Sequence, residues 1–312
     1  MIFAATISLE RIGALLSRIR EQRPLVHHIT NPVTAGDVAN ITLALGAAPV
    51  MARAAEEVEE VVAQAGALVL NTGTLTASAA DAMVRAGRRA NALDIPVVLD
   101  PVGAGTSSFR SSQIHRLLGE VRCAGVRGNA GEVAALTGSS GAVRGVDATA
   151  ESRDVADRAR ELARRSGAMV AATGAEDVVT DGTAAVRISN GHPLLARITG
   201  SGCMATAVVA AAVAVEADPF AAAVMGLLCF EIAAELAAAR AGGPGTFRAE
   251  LIDAIAALDG AAVARRARVA PARAVLTGAF KGSPMPRGTE DDRTWRSPRR
   301  RSGGARPRSS CG

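Results

Sequence analysis

Apolar positions along the chain follow two alternating rhythms through residue 268, and then the rhythm stops. Leu9, Ile12, Leu16 and Ile19 recur at helical spacing, so the pattern opens on an amphipathic helix. Short apolar runs then alternate with longer helical stretches. The spacing predicts a strand over 25–29, a helix over 33–45, extended chain over 49–51, and a helix over 56–64. It continues with a buried strand over 67–70, a helix over 77–93 and a second buried strand over 96–99. A strand over 124–126, a helix from about Gly131 and a helix over 154–165 come next. Runs over 168–172, 177–180 and 184–188 read as two or three strands, with Asp181-Gly182 as a hairpin turn and hence an antiparallel edge. From Cys203 the chain reads as helix over 203–215, 219–240 and 247–263.

Repeated strand-then-helix order predicts an α/β fold with a mostly parallel central sheet and helices on both faces. Aromatics make up only 2% of the 312 residues, so the core must be built from Ala, Val, Leu and Ile, which suits such a sheet. The sequence contains no linker before residue 268, so residues 1–270 are expected to form one domain. Residues 271–312 are rich in Pro, Gly, Ser and Arg and are expected to be a basic, disordered tail.

Charge sharpens that division. Residues 281–312 hold nine Lys/Arg and three Asp/Glu, whereas the rest of the chain is nearly balanced. The folded part therefore gives no compositional case for nucleic-acid binding. The four cysteines, Cys123, Cys203, Cys229 and Cys311, are far apart, which argues against a zinc site or a disulfide framework and fits a reducing, cytoplasmic setting. The first residues lack the basic start and apolar stretch of a signal peptide. The apolar run 203–215 is too short for a membrane span and is expected to be a buried helix.

Ligands in open α/β sheets bind at the carboxyl ends of parallel strands. Polar, Gly-rich turns follow Leu99 (Asp100-Pro-Val-Gly-Ala-Gly105), Val126 (Arg127-Gly-Asn-Ala-Gly-Glu132), Ala172 (Thr173-Gly174) and Ile198 (Thr199-Gly-Ser-Gly-Cys203), the last also read as following a strand. In Thr199–Cys203, two glycines flank a serine at the start of an Ala-rich helix, whose unpaired N–H groups and dipole suit an anion. Lys281 is the only lysine, so a Walker A loop is excluded. Cys203 at the helix start is expected to have a lowered pKa and to act as a base, or else to be a small buried hydrophobe. Asn129 and Glu132 read either as oxygen ligands suited to Mg²⁺ or as a capping box. Asp100 reads as a second acidic group near a metal or as a turn-former before Pro101. His27 and His28 point to opposite faces of a strand, one expected to be packed and the other to face solvent or ligand.

Together with His28-Ile-Thr-Asn31, Leu45-Gly-Ala-Ala-Pro-Val-Met51, Leu70-Asn-Thr-Gly-Thr-Leu75 and Gly243-Pro-Gly-Thr-Phe247, these turns resemble the hydroxyethylthiazole kinase family over roughly residues 8–264. That resemblance implies a ribokinase-like fold and ATP-dependent phosphorylation of 4-methyl-5-(2-hydroxyethyl)thiazole with Mg²⁺, as in thiamine biosynthesis. It implies that Met51, Gly200, Asn31 and Val33 serve the thiazole, that Arg127, Thr173 and Gly202 serve ATP, and that Asp100 and Glu132 serve the metal and phosphates. It implies Cys203 as base or hydroxyl-positioning group, and a homotrimer with pockets between subunits. Neither nucleic acid nor membrane is implied as a partner. The alternatives are another ribokinase-like small-molecule kinase or a nucleotide-dependent dehydratase. Pro32 departs from the family pattern, where a larger residue follows the asparagine, and the basic tail lies outside that pattern.

Overall fold

Period-2 alternation in the strands sorts the apolar side chains into two cores. Val26, Val69 and Val98 face one cluster, while Leu68, Leu70, Val97 and Leu99 face the other. A sheet buried on both faces needs helices on each, and the chain supplies them. The computed structural model describes residues 9–138 and 148–272. The tail expected from 271 onward therefore lies almost wholly outside the described residues.

The elements run α1 (Leu9–Gln22), β1 (Leu25–Ile29), α2 (Ala35–Leu45), β2 (Ala48–Val50), α3 (Val58–Val62), β3 (Ala67–Asn71), α4 (Ala77–Ala92) and β4 (Val97–Asp100). They continue α5 (Ser108–Glu120), β5 (Gly125–Asn129), α6 (Ala130–Leu136), α7 (Ala148–Ser166), β6 (Met169–Thr173), β7 (Asp177–Thr180) and β8 (Ala185–Ile188). A 3₁₀ turn (Pro193–Arg197) precedes α8 (Ser201–Val213), α9 (Pro219–Ala238), α10 (Pro244–Ala257), α11 (Gly260–Arg266) and β9 (Val269–Pro271).

The nine strands form one sheet in the order β2-β1-β3-β4-β5-β6-β7-β8-β9. Strands β2 through β6 pair in parallel, and β6 through β9 antiparallel. The Asp181-Gly182 turn joins β7 to β8 as the sequence implies, with Thr180 opposite Ala185. From β1 the chain first adds β2 on one side, then returns to add β3 on the other. That reversal opens a crevice outside the carboxyl ends of β1 and β3, where doubly wound sheets bind ligands.

On one face, Ile12, Leu15, Leu16 and Ile19 of α1 join α2, α8, α9 and α10 over the sheet. On the other, apolar residues of α3 to α7 cover it. Helix α9 is long and apolar enough to cross a membrane, but 89% of that stretch is buried inside the protein, where it packs against α8. Helix α8 is the buried helix expected near 203–215.

Four local differences from the sequence pattern have physical causes. Helix α5 is not legible as an apolar stripe, because only Ile114 and Leu117 of it are buried. Its start is set instead by Ser107, whose hydroxyl accepts from the Arg110 N–H. The single helix expected over 247–263 is two, because Asp259 caps a new helix by accepting from the Ala262 N–H at 2.6 Å. Helix α3 is only five residues long, with Val58 and Val62 its buried positions. Strand β9 pairs with β8 with no long apolar run of its own.

Leu99 is fully buried in β4, between strands on both sides. Leu99→Ala is expected to lower unfolding free energy by about 2–5 kcal/mol. Urea denaturation checks this; a loss under about 1 kcal/mol would mean that this core face collapses around the deletion.

Candidate functional site

The last residues of β3 and β4 are register partners, so Asn71 and Asp100 emerge side by side at the sheet edge. Asn71 Nδ2 donates to Asp100 Oδ2 at 2.6 Å and to Cys203 Sγ at 3.2 Å. Its Oδ1 accepts from Asn31 Nδ2 at 2.9 Å and from the Gly73 N–H at 3.0 Å. Asn31 Nδ2 also approaches Cys203 Sγ at 3.7 Å, and Asn31 Oδ1 accepts from the Thr34 N–H. The two asparagines thus bridge the crevice between β1 and β3 and aim amide donors at one sulfur.

Helix α8 brings that sulfur in. Gly200 precedes it with φ 82°, in the left-handed region, and a Cβ there would lie 2.7 Å from Thr34 Cγ2. The first α8 hydrogen bond runs from the Met204 N–H to the Gly200 carbonyl. The N–H groups of Ser201, Gly202 and Cys203 therefore have no intrahelical partner. A 3₁₀ turn, not a strand, leads into this segment, which corrects the expectation of a strand ending at Ile198. The extended residue Ile198 connects the two, so the apolar pattern imitates a strand end.

Arg127 crosses the start of α8. Its guanidinium hydrogen-bonds the Thr173 hydroxyl and packs so closely on Gly202 that any side chain there would collide with it. Its Nη1 lies 3.9 Å from Asp100 Oδ1. Arg127 and Thr173 stand on adjacent strands, with Asn129 the register partner of Thr173.

Asp100 is fully buried. Its Oδ2 accepts from Asn71 and lies 3.0 Å from the Thr206 hydroxyl, while its Oδ1 has no hydrogen-bond partner. Burial pushes its pKa up to about 6, with Arg127 opposing and Glu132 adding to the rise. The Asn129–Glu132 pair forms the capping box: Glu132 Oε2 accepts from the Asn129 N–H at 2.8 Å, and Asn129 Oδ1 accepts from the Glu132 N–H at 2.9 Å. Glu132 Oε1 accepts from the Gly103 N–H at 2.9 Å, which ties the Asp100–Gly105 turn to α6. Each of these oxygens keeps a further lone pair, so the cap does not exhaust the carboxylate.

Cys203 overturns one expectation. The helix start does not lower its pKa. Burial first and the Asp100 charge second push it above its usual value, against smaller opposing effects of hydrogen bonding and Arg127. Cys123 and Cys229 are buried, with pKa values pushed up to about 12, and are inert core residues. For the histidines, the solvent-facing alternative is corrected. They do face opposite sides of β1, but both are buried, because β1 lies inside the sheet between β2 and β3.

Val33 and Met51 stand apart from the network. Val33 is 61% exposed, and Met51 is half-buried against the apolar core just past β2. Asn71, Thr206 and Arg110 carry the site but were given no role by the sequence. Arg110, on the unforeseen α5, donates to the carbonyls of Thr72 and Val102 at 2.7 and 2.8 Å and braces two turns. Asn71 sits inside a Leu-Asn-Thr-Gly-Thr segment at a strand end, which was the available signal. The Gly243–Phe247 segment opens α10, buries Phe247, and directs Arg248 onto Asp37 of α2 by an Nε–Oδ1 bond of 2.6 Å. Asp177 and Glu231 also lie near Arg127, with pKa values raised first by burial and then by acidic neighbours, Glu176 for Asp177, and Asp177 and Glu235 for Glu231.

The profile of the Hydroxyethylthiazole kinase family matches residues 16–260. A protein of Roseiflexus sp. (strain RS-1) named hydroxyethylthiazole kinase is 52% identical over 260 residues, covering 83% of this chain and 96% of that protein. A solved structure of a hydroxyethylthiazole kinase protein from Pyrococcus horikoshii OT3 is 40% identical with a TM-score of 0.79, covering 85% of this chain and all of that one. A ribokinase-like superfamily protein from Enterococcus faecalis V583, 16% identical with a TM-score of 0.53 and covering 74% of this chain and 86% of that one, shares the fold. With its ribokinase-like sheet and the Gly200–Cys203 helix start set against Asn71, Asp100 and Arg127, the chain belongs to the hydroxyethylthiazole kinase family.

Proposed function

We propose that the protein transfers the γ-phosphoryl group of ATP to the hydroxyl of 4-methyl-5-(2-hydroxyethyl)thiazole. The observation that carries this reading is the helix start at Gly200–Cys203, whose free N–H groups lie beside both Arg127 and the asparagine-held Cys203 thiol. In the transfer, the substrate oxygen bonds to the γ-phosphorus, the bond from that phosphorus to the β–γ bridging oxygen breaks, and ADP leaves. The alcohol proton is released. Such a reaction depends on positioning and charge stabilisation more than on covalent help from the protein.

The residues present fit Mg²⁺. Asp100 Oδ1 is a buried oxygen with no hydrogen-bond partner, and Glu132 keeps lone pairs free beyond its two backbone contacts. Mg²⁺ commonly takes one or two carboxylates, with phosphate oxygens and water completing its shell. Bound there, Mg²⁺ would offset phosphate charge. Ser201, Gly202 and Cys203 N–H groups would hold the transferring phosphoryl, and Arg127, steadied by Thr173, would neutralise the triphosphate. Asn31, Met51 and Gly200 would line the thiazole pocket.

Cys203 is assigned the task of orienting the substrate hydroxyl. A thiol held above its ordinary pKa stays protonated at neutral pH, so it is a poor resting base. Its two amide neighbours hold the sulfur in place, leaving the S–H free to point at a ligand. Two apolar residues are exposed here, Val33 at 61% just before α2 and two positions after Asn31, and Leu43 at 54% in the last turn of α2. They support a homotrimer in which a second subunit covers this surface and completes the pocket.

Four outcomes are expected. In a coupled assay with ATP and Mg²⁺, the thiazole alcohol turns over in preference to pyridoxal, hydroxymethylpyrimidine and ribose. Cys203→Ala lowers kcat by about 10- to 100-fold with KM for ATP kept within about twofold. No preference for the thiazole would sink the substrate reading, and an unchanged kcat would remove Cys203 from the reaction. In ultraviolet titration, the difference between wild type and Cys203→Ala shows no thiolate through neutral pH; thiolate absorbance there would restore the base role. Light scattering is expected to give three times the 31.6 kDa chain mass, and a single-chain mass for the active protein would contradict the shared pocket.

A further inference from the structure

The ladder between β1 and β2 ends where His27 pairs with Val50. One residue further on is Met51, and the next, Ala52, is no longer in a strand. At that point a side chain takes over from the ladder: His27 Nε2 lies 2.6 Å from the Ala52 carbonyl oxygen. His27 is fully buried, and Ala52 is 8% exposed. A carbonyl oxygen only accepts, so Nε2 must carry the proton and the neutral ring must be the Nε2–H tautomer. Nδ1 has no partner, so the ring's single hydrogen bond is the one to Ala52. Burial holds the ring's pKa below its ordinary value, more than the Ala52 carbonyl and Glu57 raise it, so the donor is not converted to a cation near neutral pH.

A buried polar ring with one bond is costly unless that bond is made. An apolar residue at this inward-facing position of β1 would serve the core equally well. His28 is different: it faces the other side, toward the Thr42 hydroxyl of α2, and does not reach this loop. The hydrogen bond therefore fixes the backbone immediately after Met51. That residue opens the connection to α3 from a three-residue edge strand whose residues are all only partly buried.

We propose that His27 is a positioning residue for the alcohol substrate: its Nε2–H holds the Ala52 carbonyl and thereby sets where the Met51 side chain stands in the pocket. The inference rests on the reading of Met51 as a substrate contact. It separates recognition of the alcohol from recognition of ATP, because Arg127 and Thr173 stand on β5 and β6, beyond β3 and β4. It also assigns a task to the first histidine of the pair, which the phosphoryl-transfer chemistry leaves unused.

The test is steady-state kinetics on full-length His27→Leu, His27→Gln and Met51→Ala, with the alcohol and ATP varied separately. His27→Leu is expected to raise KM for the alcohol about five- to tenfold, the scale of one lost buried hydrogen bond, with kcat and KM for ATP within about twofold of wild type. His27→Gln, whose amide restores a donor, is expected to recover most of the loss. If Met51→Ala leaves KM for the alcohol unchanged, the Met51 reading fails and takes this inference with it. If Met51→Ala raises that KM and His27→Leu does not, only the role of His27 fails. A fall in kcat together with a rise in both KM values, unrescued by Gln, would show a merely structural histidine and overturn the proposal. Should His27→Leu not fold, the ¹⁵N spectrum of the wild-type histidines decides: an Nε2–H ring supports the proposal, and an Nδ1–H or charged ring overturns it.

Discussion

The Asp100 carboxylate, fully buried at the end of β4, is the group around which the other site residues are arranged. A lone carboxylate in such a place is expensive. The fold answers with the Asn71 amide from β3, the Thr206 hydroxyl from α8 and the Arg127 guanidinium from β5. Each comes from a different element, so holding the charge also fixes how α8 meets the sheet. That docking places the free N–H groups of Ser201 to Cys203 beside Arg127 and the Cys203 sulfur beside Asn71. The compensation is partial. One oxygen is left without a hydrogen bond, and the pKa stays pushed up to about 6. For the proposed transfer, in which the site would receive a cation and a triphosphate, an incompletely satisfied carboxylate is fitting.

The same charge explains the state of Cys203. A helix start lowers a thiol pKa when it acts alone. Here burial and the nearby Asp100 outweigh it. A protonated thiol aimed by Asn31 and Asn71 is better suited to fixing the direction of a neutral alcohol than to removing its proton. In the proposed reaction this would be sufficient, since a loose phosphoryl-transfer transition state asks little of a base.

Much of this was legible in the residues. The turns at Asp100, Arg127, Thr173 and Gly200 all reach one edge of the sheet, because strand order in an α/β fold dictates which ends gather ligands. Long-range pairings were not legible. Asn71 meets a cysteine 132 positions away, and nothing local to either residue announces the contact. Helix α5 is not legible because it buries so little, although its Arg110 braces two of the site's turns. The opposite orientation of His27 and His28 follows from strand geometry, while their common burial depends on β1 being an interior strand. The direction of the Cys203 shift differs from the sequence expectation for a related reason: the helix end is visible in sequence, and the crowding carboxylate is not.

A crystal structure with the thiazole alcohol and a non-hydrolysable ATP analogue tests the central claim most directly. The terminal phosphoryl group is expected on the N–H groups of Ser201, Gly202 and Cys203, Arg127 on the triphosphate, and the substrate hydroxyl within hydrogen-bond reach of Cys203 Sγ. A triphosphate seated elsewhere along the sheet edge, or a hydroxyl turned away from that sulfur, would contradict it.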